Sequence, residues 1–344
     1  MKKHLIISLL TIVALVSQAQ SGHKTPYMTK SLSNESVKEV EAKTQGGSIS
    51  VTGVTTDARV EVYISGNGRV FDLSKEEIQS RLNEYYELSV TVSGGKVSAI
   101  AKTKDRNMDW KRALNISFKI FVPQAVSTDL ATSGGSISLS NLSGTQDFRT
   151  SGGSLTVEKV TGKIMGETSG GSIDVSDSKD DIDLHTSGGS IDASRCTGKI
   201  KLNTSGGSLT LHDLKGNIRA TTSGGSVDGR TIDGELITHT SGGNVSLNDL
   251  TCSVEASTSG GSINVEIKEL REYVNLSNSG GHIDLQIPKD KGVDLRLNAE
   301  KIKTDQLSNF SGTMDEHQVR GKLNGGGTQI NVDAGGGRIY LAFK

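Results

Sequence analysis

Ser-Gly-Gly recurs with an 18-residue period through the middle of this chain. The first glycine of each pair falls at Gly134, Gly152, Gly170, Gly188, Gly206, Gly224, Gly242 and Gly260, and the next, at Gly280, follows after a slightly longer, 20-residue step. A fixed short period means a solenoid or an array, because a single unit cannot bury its own apolar face and must stack on a copy of itself. Earlier copies stand at Gly46-Gly47 and Gly94-Gly95, and degenerate ones at Gly325-Gly326-Gly327 and Gly335-Gly336-Gly337.

The columns around the glycines say which kind of solenoid. Three residues after each first glycine come Ile137, Leu155, Ile173, Ile191, Leu209, Val227, Val245 and Ile263. Two places on come Leu139, Val157, Val175, Ala193, Leu211, Gly229, Leu247 and Val265, with polar residues such as Ser138, Thr156 and Asp174 between. That period of two is a strand with one buried face. Ile164, Ile182, Ile200, Ile218, Leu236 and Val254 mark a second strand, and a turn often holding glycine (Gly144, Gly162, Gly198, Gly216, Gly234) separates the halves. Units of this length have no room for helices. Antiparallel hairpins would also yield two strands per unit, but like stacked on like favours a parallel coil. The expected fold is therefore all-β: a parallel β-solenoid with 18-residue coils and two short strands per coil. The glycine pairs are expected at corners that need positive φ and close backbone approach. Eight regular coils at about 4.8 Å each would span about 35–40 Å.

Composition agrees with a thin core. Glycine is 42 of 344 residues, proline 3, and hydrophobic residues 33%. A formal net charge of −1 provides no electrostatic case for a nucleic-acid partner. At the N-terminus, Lys2 and Lys3 precede the apolar run Leu5 to Val16 and the small-residue pattern Ser17-Gln18-Ala19, the order of a signal peptide. The expectation is residues 1–19 cleaved near Ala19, then a linker over 20–39. No later stretch is apolar enough for a transmembrane segment, so the mature chain is expected in the periplasm, on the outer surface or secreted.

Residues 40–128 read as N-terminal β-rich coils with a capping role. They carry Tyr63, Phe71, Tyr85, Tyr86, Trp110, Phe118 and Phe121, and strands over Val60-Val62-Ile64, Leu88-Val90-Val92 and Ile116-Phe118-Ile120. Ser74-Lys75-Glu76-Glu77 is a capping box, and Ile78, Leu82 and Tyr86 follow at helical spacing, so one short helix is expected over about 74–86. Residues 129–292 are the regular solenoid. Residues 293–344 are irregular, ending in Ile330-Val332 and Ile339-Leu341-Phe343 as closing strands of a cap.

Phe121-Val122-Pro123, then Leu130-Ala131-Thr132-Ser133-Gly134-Gly135-Ser136-Ile137, then the repeated T-S-G-G-S-[ILV] with G-x-[IL], resemble the DUF4097 family of adhesin-like proteins over roughly residues 40–344. The signal sequence is similar to those of Bacteroidetes-type envelope proteins. The resemblance implies a β-solenoid domain of exported or envelope proteins and supplies no catalytic residues.

Few residues suggest chemistry. Asp174, Asp177, Asp180, Asp181 and Asp183 concentrate acid in one coil. They are candidate Ca²⁺ ligands or paired carboxylates of a polysaccharide lyase or hydrolase; the structural alternative is a solvated corner with Lys179 as counter-ion. The column Thr132, Thr150, Thr168, Thr186, Thr204, Thr222, Thr240 and Thr258 is either a hydroxyl ladder serving the corners or a flat face for ice or a regular polymer. His185 and His239 share an outward column three coils apart, too far to cooperate. Cys196 and Cys252 lie about three coils apart on different columns and are expected to be reduced. No aromatic residue stands between Phe148 and Tyr273, which removes sugar-stacking positions from the regular rod. The reading is a non-enzymatic, adhesin-like envelope or surface scaffold with no cofactor and an unknown protein or glycan partner. The alternative is a carbohydrate-active β-helix enzyme using the carboxylate cluster.

Overall fold

Among the described residues, twenty-eight strands hydrogen-bond into one continuous sheet that wraps an apolar core. The computed structural model describes residues 25–67, 73–104 and 110–344; the expected signal peptide, its cleavage point near Ala19, Phe71 and the side chain of Trp110 lie outside the described residues. Pairing through the rod is parallel and shifts by one repeat per step: Leu155 opposes Ile137 and Ile173, and Ile164 opposes Gln146 and Ile182. The chain is a parallel β-solenoid, as the columns required.

Each coil contributes to two walls. The short wall holds four-residue strands such as Ile173–Ser176, and the long wall eight-residue strands such as Lys179–Thr186. In the middle of the rod the two merge, and Leu209–Thr221, Val227–Thr240 and Val245–Thr258 run through both as single strands. Inward positions are almost fully buried, and alternate positions face solvent.

The corners correct the glycine argument. Along the regular rod, from Gly134-Gly135 to Gly280-Gly281, the paired glycines are absent from the positive-φ residues. They are needed because the backbones touch: a Cβ on Gly207 would lie 2.0 Å from the carbonyl oxygen of Gly189, while one on Gly206 would make ordinary contact at 3.5 Å. Left-handed backbone sits instead at a second corner, occupied by Asn141, Lys159, Asp177, Arg195, Asp213, Thr231 and Asp249 with φ between 53° and 55°. Asn and Asp tolerate that conformation best, which explains their frequency there.

The ends are not simple continuations. At the N-terminal end, strands Glu39–Lys43 and Ile49–Gly53 form a coil that stacks on residues 127–140. On the other side of that coil lie Lys96–Thr103 and Leu114–Val122, which follow it in the chain. The first coil is thus inserted one level from the end. Its outer neighbours are covered by antiparallel strands, Tyr86–Ser93 on the long wall and Arg59–Gly66 on the short wall. Within the span read as a linker, Met28–Ser31 is a strand on Arg59–Gly66, and Leu32 and Val37 are buried. Gly94-Gly95 is the turn of the Tyr86–Ser93/Lys96–Thr103 hairpin, with φ of 59° and 81°, and not a coil corner.

The C-terminal end mirrors this. The expected closing strands, Thr328–Asp333 and Arg338–Phe343, do not close the rod. They fill the level between Tyr273–Asn278 with Ile283–Ile287 and Val293–Asn298 with Lys301–Thr304. The long wall then ends in two antiparallel strands, Gln318–Leu323 and Phe310–Met314. Antiparallel, short or charged end strands blunt edges that would otherwise recruit more chains. Thirteen parallel levels in all give a rod about 55–60 Å long.

The helix forms at Lys75–Tyr85. Ser74 is its N-cap, with Oγ accepting from the Glu77 N–H at 3.2 Å, and Ile78 and Leu82 face the core.

Candidate functional site

The five candidate aspartates belong to one coil but not to one site. Asp174 is on the short wall, stacked between Thr156 and Asp192; burial, and then the Asp192 charge, hold its carboxyl above the ordinary range. Asp177 occupies the left-handed corner and forms a two-pronged bond with Arg195, at 2.8 and 2.9 Å, which holds its carboxyl below the ordinary range. Asp180 stands where other coils have glycine, at φ 84°, and its Oδ2 accepts from the Gly162 N–H at 3.0 Å. Asp181 and Asp183 are on the long wall, and Asp183 pairs with Lys201 at 3.1 Å. The counter-ions are therefore Arg195 and Lys201, one coil along, and not Lys179. Period-two alternation sends these carboxylates to a wall, a corner and a second wall. Among the described residues, no group of three or more His, Cys, Asp or Glu could hold a metal ion.

The threonine column is internal. Thr204 is 5% exposed; its Oγ1 donates to the Gly189 carbonyl at 2.7 Å and accepts from the Gly207 N–H at 3.2 Å. The same pair of bonds repeats at Thr150, Thr168, Thr186, Thr222, Thr240 and Thr258. At the longer coil Asn278 does this work: its Nδ2 donates to the Gly261 carbonyl at 2.6 Å and its Oδ1 accepts from Gly281 at 2.9 Å. The column is a ladder that satisfies the corner, and it offers no flat face. An outer serine ladder continues it, Ser154 N–H donating to Ser136 Oγ at 3.1 Å and Ser208 N–H to Ser190 Oγ at 3.1 Å.

His185 and His239 are three coils apart through Asn203 and Thr221. Cys196 and Cys252 are free and buried; burial raises the Cys196 thiol pKa and pushes that of Cys252 up to about 12, so neither is a nucleophile at neutral pH.

Concave surface concentrates where the regular rhythm stops. On the long wall a groove of about 690 Å³ runs over the C-terminal levels, with Asn275, Asn331, Arg296, Asn298, Gln318 and Arg320 among its lining. Asn331 Nδ2 donates to Asn275 Oδ1 at 2.9 Å, and Asn298 Nδ2 to Asp333 Oδ2 at 3.2 Å. On the short wall a second depression of about 540 Å³ is lined by Asn264, Asp284, Gln286 and Tyr340. Tyr340 is 44% exposed, and its hydroxyl donates to Asp305 at 3.0 Å. Both depressions combine residues from distant segments. The alternation in Val293–Asn298 marks Arg296 as outward, but no spacing in the sequence places it opposite Arg320.

Residues 176–341 match the family model described as Toastrack DUF4097, a narrower span than the roughly 40–344 of the resemblance. No curated protein matches the chain. The solved structures that match this chain include the following three. A candidate cell adhesion protein from Clostridium sporogenes is 14% identical, with 92% of this chain and 98% of that one covered at a TM-score of 0.20. A candidate lipid-binding protein from Parabacteroides distasonis is 13% identical, with 91% and 96% covered at a TM-score of 0.31. A candidate adhesin from Bacteroides fragilis is 13% identical, with 92% and 96% covered at a TM-score of 0.23. These likenesses are too distant to transfer a function.

Proposed function

We propose that the chain, whose residues 176–341 match the Toastrack DUF4097 family model, is an exported, non-enzymatic, adhesin-like scaffold of the cell envelope or surface, made for adhesion or protein–protein contact. One observation carries the reading: the repeated hydroxyls are consumed internally as the Thr–Gly ladder, leaving a stiff rod whose outward side chains form two long polar walls. Rigid, extended and periodic surfaces suit contact with other large molecules, because little conformational freedom is lost on binding. The order Lys2-Lys3, Leu5 to Val16, Ser17-Gln18-Ala19 supports export. No helix among the described residues is long and apolar enough to cross a membrane.

The test is expression of the full chain in a Gram-negative host with fractionation and N-terminal sequencing. The expected product starts at Gln20 outside the cytoplasm, and the purified rod retains cells or glycans on a surface without cleaving them. A full-length chain retained in the cytoplasm would overturn export. Turnover of a glycan, abolished by Asp181→Ala, would replace the scaffold by the carbohydrate-active enzyme.

A further inference from the structure

The long-wall groove at the C-terminal end contains an arrangement that strand pairing alone does not explain. Arg296 and Arg320 are directly opposite each other in the antiparallel pair Val293–Asn298 and Gln318–Leu323, on the outward face. Directly opposed positions bring Cα atoms to about 4.5–5.5 Å, and like charges there repel. Neither guanidinium makes a hydrogen bond or ion pair with any described residue. Of the carboxylates lining the channel, Asp333 and Glu255 are engaged or distant, and Asp294 is near but unpaired. Asp333 accepts from Asn298, and Glu255 is three strands from Arg296, about 14 Å away. Asp294, two residues along the same strand, forms no ion pair and leaves its buried Oδ1 without a partner.

Elsewhere on this rod several facing charges are matched, although Asp174 faces Asp192 and Lys201 also faces Arg219. Lys201 meets Asp183, Arg195 meets Asp177, and Lys215 meets Asp233. The arginine pair has no such partner, and it lies within the long-wall groove. A third depression, of about 520 Å³, continues the groove past the pair to Lys322 and Gln329 and shares Arg296, Arg320 and Asn331. The pair therefore stands in the middle of an elongated channel. Beside it are the amides of Asn275, Asn331, Asn298 and Gln318, and the apolar lining residues Leu276, Leu297 and Val332 are buried.

We propose that this channel binds a polysaccharide carrying oxyanion groups, with the Arg296 and Arg320 guanidiniums gripping one carboxylate or sulfate and the flanking amides bonding to hydroxyls. Two planar forks facing one site match the oxygens of such a group and cancel the mutual repulsion when it is bound. The extended channel admits a chain passing through in both directions, and the burial of its apolar lining residues disfavours a lipid tail or an apolar peptide side chain. This inference rests on the reading of the rod as a non-enzymatic binding scaffold.

The test is affinity electrophoresis and calorimetry of the mature chain with polygalacturonate, dextran sulfate and neutral dextran. The expected result is binding to at least one anionic polymer and none to neutral dextran, and the preferred polymer identifies carboxylate or sulfate as the bound group. Arg296→Gln and Arg320→Gln each weaken binding at least tenfold, and Arg296→Lys, which keeps the charge but loses the fork, weakens it several-fold. Arg219→Gln removes the same charge from the same outward column five levels from Arg296 and changes binding less than twofold. Thermal midpoints of the Arg→Gln variants stay level or rise, because repulsion is relieved. Absence of binding to both anionic polymers, equal binding to dextran, retention of affinity by the double variant, or an equal loss in Arg219→Gln would each overturn the site. Release of new reducing ends would overturn the scaffold reading and leave the site standing; retention of cells with no anionic-polymer binding would do the reverse.

Discussion

The regular rod and the two ends obey the same stacking rule by different means. In the middle, each coil stacks on the coil that precedes it in sequence, so register is a local matter of one repeat. At each end, a terminal coil of the chain is slotted one level inward, and a segment from the adjacent stretch of sequence covers it. The middle is modular, and the ends are interlocked. A solenoid can therefore be lengthened freely only where its contacts are near in sequence.

Deleting chain from each region puts this contrast under the greatest strain. Removal of residues 187–204, one whole coil, leaves Thr186 joined to Ser205 in register, and cooperative melting is expected to persist with a modest drop in midpoint. Ending the chain at Leu323 empties the level held by Thr328–Asp333 and Arg338–Phe343. The C-terminal strands then lose protection in hydrogen exchange from residue 273 onward. Equal effects of the two deletions would refute the contrast.

Within the middle, the glycine pair divides unequally. Gly207→Ala forces a Cβ to 2.0 Å from a backbone oxygen, whereas Gly206→Ala meets only ordinary contact at 3.5 Å. The expected loss in urea unfolding is about 3–5 kcal/mol for Gly207→Ala, and within about 1 kcal/mol for Gly206→Ala.

A smaller effect tests how neighbouring levels share core volume. Phe148 is 1% exposed, and its ring lies 2.5 Å from where a Cβ on Gly166 would sit. Gly166→Ala is expected to cost about 1–3 kcal/mol by overpacking. Combined with Phe148→Leu it should cost less than the sum of the two single changes, which a double-mutant cycle measures.

The smallest effect is electrostatic. The Asp174 carboxyl is held above its ordinary range by burial and by Asp192, so the folded state disfavours its charge. Stability is therefore lost as pH rises from the ordinary carboxylate range through the raised value. Asp174→Asn is expected to raise the thermal midpoint at neutral pH by no more than about 0.5 kcal/mol equivalent, and to have no such benefit at low pH, where both states are protonated.

Much of the rod was legible in the residues. The columns beginning at Ile137 and Ile164 named the buried faces, and Ser74 with Ile78 and Leu82 named the helix. The corner conformations were not legible, because Asn141, Lys159 and Arg195 share no obvious chemistry; what they share is a backbone angle. The acidic cluster reads as one site because its members are close in sequence. Strand alternation and the corner at Asp177 send them apart, and the arginine pair was invisible for the converse reason, being joined across a hairpin.

Repetition in the residues is enough to specify the coil: its 18-residue length, its inward positions, its parallel stacking and the place of its Thr–Gly corner. The first three follow from contacts between a residue and its copy one period away, whereas the geometry of the corner was read only from the structure. Where the stack ends, which coil lies beside which at either end, and which charges face each other there were settled only in three dimensions. Those pairings join segments without a common period, and closure of the sheet is what selects among them.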